Sequence, residues 1–258
     1  MARKRHTKKT TKSLSPTTTR KWLVGAGLVL LVALGALIYV ERHHIFHPSV
    51  SIDPLRFPIA GIDVSRHNGD IDFKQVAAHD VKFVFVKASE GVSHRDTNFK
   101  RNCREASKAG LLVGAYHFFR KGKDGREQAR HFLATVKGVS LDLPLVIDIE
   151  DEKNDRVDDA TVRTRLRDMV AELRDSGHRV IIYTNGDGYK KFYHGHLDGV
   201  ELWISSFKSP DDIAHIGHRF QQYSYWGEVE GVEGDVDLNI FNGSADEWEA
   251  WLEEMHNS

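Results

Sequence analysis

From Gly61 onward the chain repeats one pattern: a short, nearly continuous apolar run, a turn, and then, for the first five repeats, a stretch with helical spacing. Runs of strand character occur at 61–65, 82–89, 111–119, 143–150, 179–184, 201–207, 219–224 and 235–241. Strands that are apolar on both faces must be covered on both faces, which is the condition of a parallel sheet flanked by helices. Between the early runs, Ala129, Phe132, Leu133 and Val136 share one helical face, as do Val162, Leu166, Met169, Val170 and Leu173. A short helical segment near 187–194 follows the fifth run; later connections are too short for full crossover helices. A last helix opens with capping-box spacing at Ser244 and Glu247 and turns Trp248, Trp251, Leu252 and Met255 inward. Five β/α units followed by three strands predict an α/β fold, an irregular TIM-like β/α barrel with its reacting groups at the carboxyl ends of strands.

The fourth run, Leu143 to Glu150, ends in two carboxylates, Asp148 and Glu150. Alternate residues of a strand share a face, with Cα atoms about 6–7 Å apart, so both should face the mouth of the barrel. Two acids in a partly desolvated site cannot ionise equally: one pKa rises, and that group holds a proton near neutral pH. An acid beside an ionised carboxylate is the equipment for cleaving a glycosidic bond. The spacing alone also fits a solvated strand edge or a set of metal ligands. The first strand adds Asp63 and the last adds Asp235 and Asp237. First and last strands become neighbours when a barrel closes, so Asp63, Asp148, Glu150 and Asp237 are expected to converge. Tyr116, His117, Tyr183, Trp203 and Tyr223 occupy comparable positions, with Trp226 just beyond. Aromatic rings there suit the apolar C–H faces of sugars, although each taken singly also fits a core position.

The stretches "GIDVSRHNGDIDF", "FVFVKASEG", "GAYHFFR", "LPLVIDIE", "IIYTN", "LWIS", "QQYS" and "GVEGDVDLNIFNG" follow in order between about residues 61 and 243. Together they resemble the successive motifs of the glycoside hydrolase family 25 lysozymes, the Chalaropsis-type muramidases. That resemblance implies a barrel of five β/α units and three further strands. It also implies hydrolysis of the β-1,4 bond from N-acetylmuramic acid to N-acetylglucosamine in peptidoglycan, with no cofactor and no metal. By position it makes Glu150 the general acid and Asp148 its assistant, places Asp63 and Asp237 among the cleft acids, and matches Tyr116, Tyr183 and Trp203 to substrate contact. Phe73 stands where a Trp is common, and "LWISSF" replaces the frequent "LWIAxY", so subsite details depart from the pattern. Retention or inversion stays open, a substrate-assisted route through the 2-acetamido group being the working hypothesis.

The segment ahead of the barrel has a different character. Residues 1–21 hold eight Lys or Arg and no acid, leaving 28 basic and 37 acidic residues for the remainder. Residues 22–40 carry no charged side chain and, as a helix, reach about 28 Å, close to the ~30 Å hydrocarbon core of a bilayer. Trp22 and Tyr39 sit near the two ends, where amphipathic rings favour the interface. The expected organisation is a basic cytoplasmic arm (1–21), a transmembrane signal anchor (22–40), a linker (41–57) and a catalytic domain (58–258). The run is longer than the apolar region of a cleaved signal peptide, which is the competing interpretation. The barrel would then lie outside the cytoplasm on a single-pass anchor, as a monomer whose partners are glycan strands and the membrane, with no nucleic acid. His43, His44 and His47 in the linker lack the Cys or carboxylate neighbours of a metal site. Cys103 shares a helical face with Phe99 and Ala106 and reads as a buried apolar residue; with one cysteine no internal disulfide forms.

Two other functions fit part of this pattern. A chitinase or endo-β-N-acetylglucosaminidase is also a barrel with acidic strand ends, but Pro144 and Val146 stand where a longer series of alternating acids would be expected. A membrane-tethered wall-binding protein would hold glycan without cutting it, and four acids at strand ends argue against that reading.

Overall fold

The structure, a computed structural model, describes residue 29 and residues 32–35, 50–150 and 157–256. Residues from Ser49 onward belong to one compact unit. Its eight long strands are β1 (Ala60–Val64), β2 (Val81–Glu90), β4 (Leu112–Phe118), β5 (Leu145–Asp148), β6 (Val180–Asn185), β7 (Glu201–Ser205), β8 (Phe220–Gly227) and β9 (Val236–Phe241). A two-residue strand, β3 (His94–Arg95), pairs antiparallel with the end of β2; neither it nor the short 3-10 turns Arg66–Asn68 and Pro210–Ile216 are announced by the sequence pattern. Pairing runs β1-β9-β8-β7-β6-β5-β4-β2, and β2 returns to β1, so the sheet closes.

All pairs along the barrel are parallel except those made by β9, which runs antiparallel to both β8 and β1. This refines the expectation that reacting groups come from carboxyl ends. Asp237 stands near the amino end of β9 and reaches the same rim because that strand points the other way. The short loop between β8 and β9 follows from the same reversal, since an antiparallel neighbour needs no crossover helix.

The helices are α1 (Phe73–Ala78), α2 (Phe99–Lys108), α3 (Gly125–Val136), α4 (Asp159–Asp175) and α5 (Ala245–His256), with a short helical segment over Gly186–Tyr193 after β6. Asp72, Asp124 and Asp158 cap α1, α3 and α4 by accepting backbone N–H groups of the first turn. At α5 both bonds of the capping box form: Ser244 N–H donates to Glu247 Oε2 at 2.7 Å, and Glu247 N–H donates to Ser244 Oγ at 3.2 Å.

Two apolar layers result. Outside the barrel, Ile62, Val84, Val113 and Ile147 pack against helix residues such as Phe132, Leu166 and Met169. Inside, Phe83, Phe85, Phe220 and Phe241 fill the interior, and Trp248 and Trp251 of α5 join them. The interior is crowded enough that Gly61 cannot be replaced, because a Cβ there would lie 2.4 Å from the Phe83 ring. Cys103 is buried, as expected, and burial pushes its thiol up to about 12.

Residues 50–57, read from sequence as part of the linker, lie along the barrel: Val50 N–H donates to the Trp226 carbonyl at 2.8 Å, and Ile52 is buried in the outer layer. Val29 and residues 32–35 are helical. The rest of the expected anchor, the basic arm and His43, His44 and His47 lie outside the described residues. Among the described residues no helix is long and apolar enough to cross a membrane.

Candidate active site

A cavity of about 250 Å³ opens where the parallel strands end, and Asp63, Asp148, Glu150 and Asp237 all line it. A larger hollow of about 900 Å³ at the opposite end, among Lys137, Arg174, Arg179 and Met255, gathers no comparable set of acids. The chemistry therefore belongs to the smaller cavity.

Backbone pairing sets the acids. On β1 and β9, Asp63 and Asp237 are register partners, so their side chains meet directly across the strand pair. On β5, Asp148 lies beside Phe118 of β4 and Tyr183 of β6. The backbone beyond it is held in place: Ile149 N–H donates to the Tyr183 carbonyl at 2.9 Å, and Thr184 Oγ1 donates to the Ile149 carbonyl at 2.6 Å. Glu150 is thereby presented at the cavity, half-buried, two positions beyond Asp148 on the same face.

A short chain of amides orients Asp63. Gln222 Nε2 and Asn239 Nδ2 each donate to Asp63 Oδ2 at 2.9 Å. The other ends of those amides are engaged as well: Trp203 Nε1 donates to Asn239 Oδ1 at 3.0 Å, and the Tyr183 hydroxyl donates to Gln222 Oε1 at 2.7 Å. Both amides therefore have one consistent orientation, with their N–H groups toward the carboxylate. Burial raises the Asp63 pKa to about 6, although the two amide bonds pull it down. Burial and the facing Asp63 charge push Asp237 up to about 9. The pair holds one proton through neutral pH, carried by Asp237 and directed at Asp63.

Aromatic residues surround the acids. Tyr116, Phe118, Tyr183 and Trp203 line the cavity, and burial together with neighbouring carboxylates pushes the Tyr116 and Tyr183 phenols well above their ordinary value. The Tyr183 oxygen lies 3.4 Å from Glu150 Oε1, a long contact beside the short bond to Gln222. On the β2–β4 side, Lys87 Nζ lies 2.9 Å from Glu90 Oε2, and Arg120 meets the same carboxylate at 2.6 Å. Burial alone would raise Glu90, but these two cations outweigh it and hold its pKa at about 2.

The family model of the Glycosyl hydrolases family 25 matches residues 62–232, which runs from within β1 through β8 and stops short of β9. The chain belongs to glycosyl hydrolase family 25. It is 35% identical to Lysozyme M1 of Streptomyces globisporus over 208 residues, 72% of this chain and 69% of that one. An uncharacterized Escherichia coli protein, YegX, is 34% identical over 208 residues, 78% of this chain and 75% of its own. Among solved structures, the lysozyme of Streptomyces coelicolor superposes with a TM-score of 0.68 at 31% identity, covering 76% of this chain and 98% of that one.

In this family 25 hydrolase seven of the nine site residues expected from sequence meet at the cavity, and two do not. His117 is fully buried on the outer face of β4, where it bonds Ser89 Oγ at 2.8 Å and stacks near Phe132 of α3. Burial lowers its pKa to about 3, so the ring is neutral. Tyr116 and His117 are consecutive, and strand alternation sends one to each side. Tyr223 also faces outward, against Phe57, while its neighbour Gln222 faces in. Trp203 lines the cavity but is only 2% exposed, so it forms the floor and supports Asn239 rather than offering an open face to a sugar. Asp235, also named from the last strand, is exposed ahead of β9.

Sequence reasoning missed Gln222, Asn239, Lys87, Phe118, Ser65 and His67 at this site. Asn239 was recoverable, since it shares a face with Asp237 two positions away; Gln222 was not, because nothing in "QQYS" says which of its residues turns inward. Among the described residues no group of three or more His, Cys, Asp or Glu side chains could hold a metal ion.

Proposed function

We propose that the protein is a muramidase that hydrolyses the β-1,4 bond from N-acetylmuramic acid to N-acetylglucosamine in peptidoglycan, and that residues 22–40 anchor it in a membrane. Glu150 is the general acid and Asp148 assists. The observation that carries this reading is the delivery of both residues from the end of one strand into a cavity that also holds the Asp63–Asp237 pair.

Four carboxyl groups in one desolvated hollow cannot all ionise, and protons retained near neutral pH are what a leaving glycosidic oxygen requires. The Tyr183 hydroxyl donates to Gln222 Oε1 at 2.7 Å and lies 3.4 Å from Glu150 Oε1, which fixes the phenol ring beside the acid. Asp148, beside it on the same face, supplies negative charge to the oxocarbenium-like centre or to the 2-acetamido group of the reacting sugar. Asp63, ionised and held by two amides, adds charge from the opposite wall.

The test is incubation of the full-length protein with purified sacculi, followed by mass spectrometry of the new reducing ends. Muramic acid at those ends supports the proposal; N-acetylglucosamine there would make the enzyme a glucosaminidase. Following the anomer of the first product by NMR separates the mechanisms, since inversion is incompatible with participation of the acetamido group. The anchor rests on the uncharged run and the eight basic residues before it. Release of the intact chain from membranes by alkaline carbonate would refute it. Sedimentation in detergent tests the expected monomer.

A further inference from the structure

Phe207 and Tyr225 are large apolar side chains left in the open, 52% and 38% exposed. They lie together. Their rings meet nearly edge to face at 4.6 Å, and Trp226 lies 5.6 Å from Phe207 and 6.1 Å from Tyr225. Phe207 follows the end of β7, and Tyr225 and Trp226 end β8, so the group stands on the same rim as the acids. The Tyr225 hydroxyl is 2.7 Å from Ser205 Oγ at the end of β7, which ties the group to the cavity wall.

Backbone irregularity aims this group. Gln222 pairs with Asn239, but the next register partner of Leu238 is Ser224, so β8 carries an extra residue at Tyr223. Asn239 faces the cavity and Leu238 faces the outer layer, so Ser224 takes the outward parity and Tyr225 the inward one. Without the bulge, alternation from Gln222 would turn Tyr225 away.

We propose that Phe207, Tyr225 and Trp226 form a stacking platform for a pyranose ring of the glycan strand, adjacent to the sugars held in the cavity. The proposal rests on the muramidase reading of that cavity. A hollow of about 250 Å³ is small even for single-ligand pockets, which run about 300–1,000 Å³, so a polysaccharide must continue over the rim. On the β2–β4 side the rim ring, Phe118, is already covered by Lys87 and Arg120, each within 4.9 Å of its centroid. On the β7–β8 side Phe207 and Tyr225 are exposed. A sugar placed there lays its C–H face on Phe207 or Trp226 and keeps its hydroxyls toward water and the Tyr225 oxygen.

The experiment measures kcat and KM of the full-length protein on peptide-free glycan strands of increasing length. Phe207→Ala and Phe207→Leu, which lack the flat ring, should raise KM for the longer strands by roughly two- to tenfold. They should leave kcat and the shortest cleaved strand unchanged, and Phe207→Tyr should behave as the parent. A loss equal at every length, or no loss at any length, overturns the platform. A parent enzyme that cuts no strand of any length overturns the muramidase reading itself, and the platform with it.

Discussion

Two buried polar clusters face each other across β4, and they differ in kind. On the inner side Asp63, Asp148, Glu150 and Asp237 share one hollow; on the outer side Ser89, His117 and Gln128 lie under α3. The outer cluster contains a serine beside a histidine, yet its members are fully buried, neutral and bonded to one another. It is a satisfied network that fixes the helix on the sheet. The inner cluster gathers four carboxyl groups, two of them with raised pKa values, around a hollow that opens to solvent. Burial of titratable groups is common to both; mutual repulsion in front of an open hollow distinguishes the one suited to chemistry.

The largest expected effect that tests this contrast is on the inner side. Glu150→Gln should lower kcat by roughly 10²- to 10⁴-fold without moving the melting temperature. A variant that retains more than a tenth of the activity would take the acid role away from Glu150.

Next is the dependence of stability on pH, where the clusters act in opposite directions. Asp63 and Asp237 titrate near 6 and 9 in the fold against an ordinary 3.8, so the folded chain binds more protons. Their contribution is present below 3.8 and is lost as pH rises through about 6 and toward about 9. Asp237→Asn, which mimics the protonated form, should flatten the upper part of that decline. His117 titrates near 3 against 6.5, so the unfolded chain binds more protons, and stability is lost as pH falls from 6.5 toward 3. Melting curves of the parent and of both Asp237→Asn and His117→Gln across pH 4–9 would expose any reversal of these slopes.

At neutral pH, His117→Gln should destabilise the fold by about 1–3 kcal/mol through its broken bonds and lost packing, while kcat below the transition stays unchanged. A selective fall in kcat would move His117 into the machinery that its placement denies it. Smallest of all is Tyr223→Phe. Among the described residues the buried Tyr223 hydroxyl has no hydrogen-bond partner, so its removal should stabilise by roughly 1 kcal/mol or less and leave hydrolysis unaltered. Chemical denaturation resolves a change of that size, and a loss of stability would mean that the hydroxyl has a partner after all.

Much of the fold is written locally. Each of the eight long strands lies at one of the predicted runs, and the capping of α5 and the inward face of α4 follow from residue spacing. The four acids were legible for a related reason. Alternation fixes the relation of Asp148 to Glu150, and barrel closure fixes that of Asp63 to Asp237, whatever the sequence between them. The two misplaced residues fail on parity. Neither His117 nor Tyr223 differs in composition from an inward-facing residue, and a strand covered on both faces gives no hydrophobic alternation from which to choose.

The sequence by itself determined the strand and helix elements, the order in which they occur and the identity of the acids, because periodicity and alternation act over a few residues and need no partner. Tertiary structure alone decided which tyrosine of β8 turns to the cavity, how Gln222 and Asn239 hold Asp63, and that β9 runs backward to bring Asp237 to the rim. Those outcomes depend on a bulge, on side-chain amides read from both ends and on strand direction, and each is set by contacts between segments far apart in the chain.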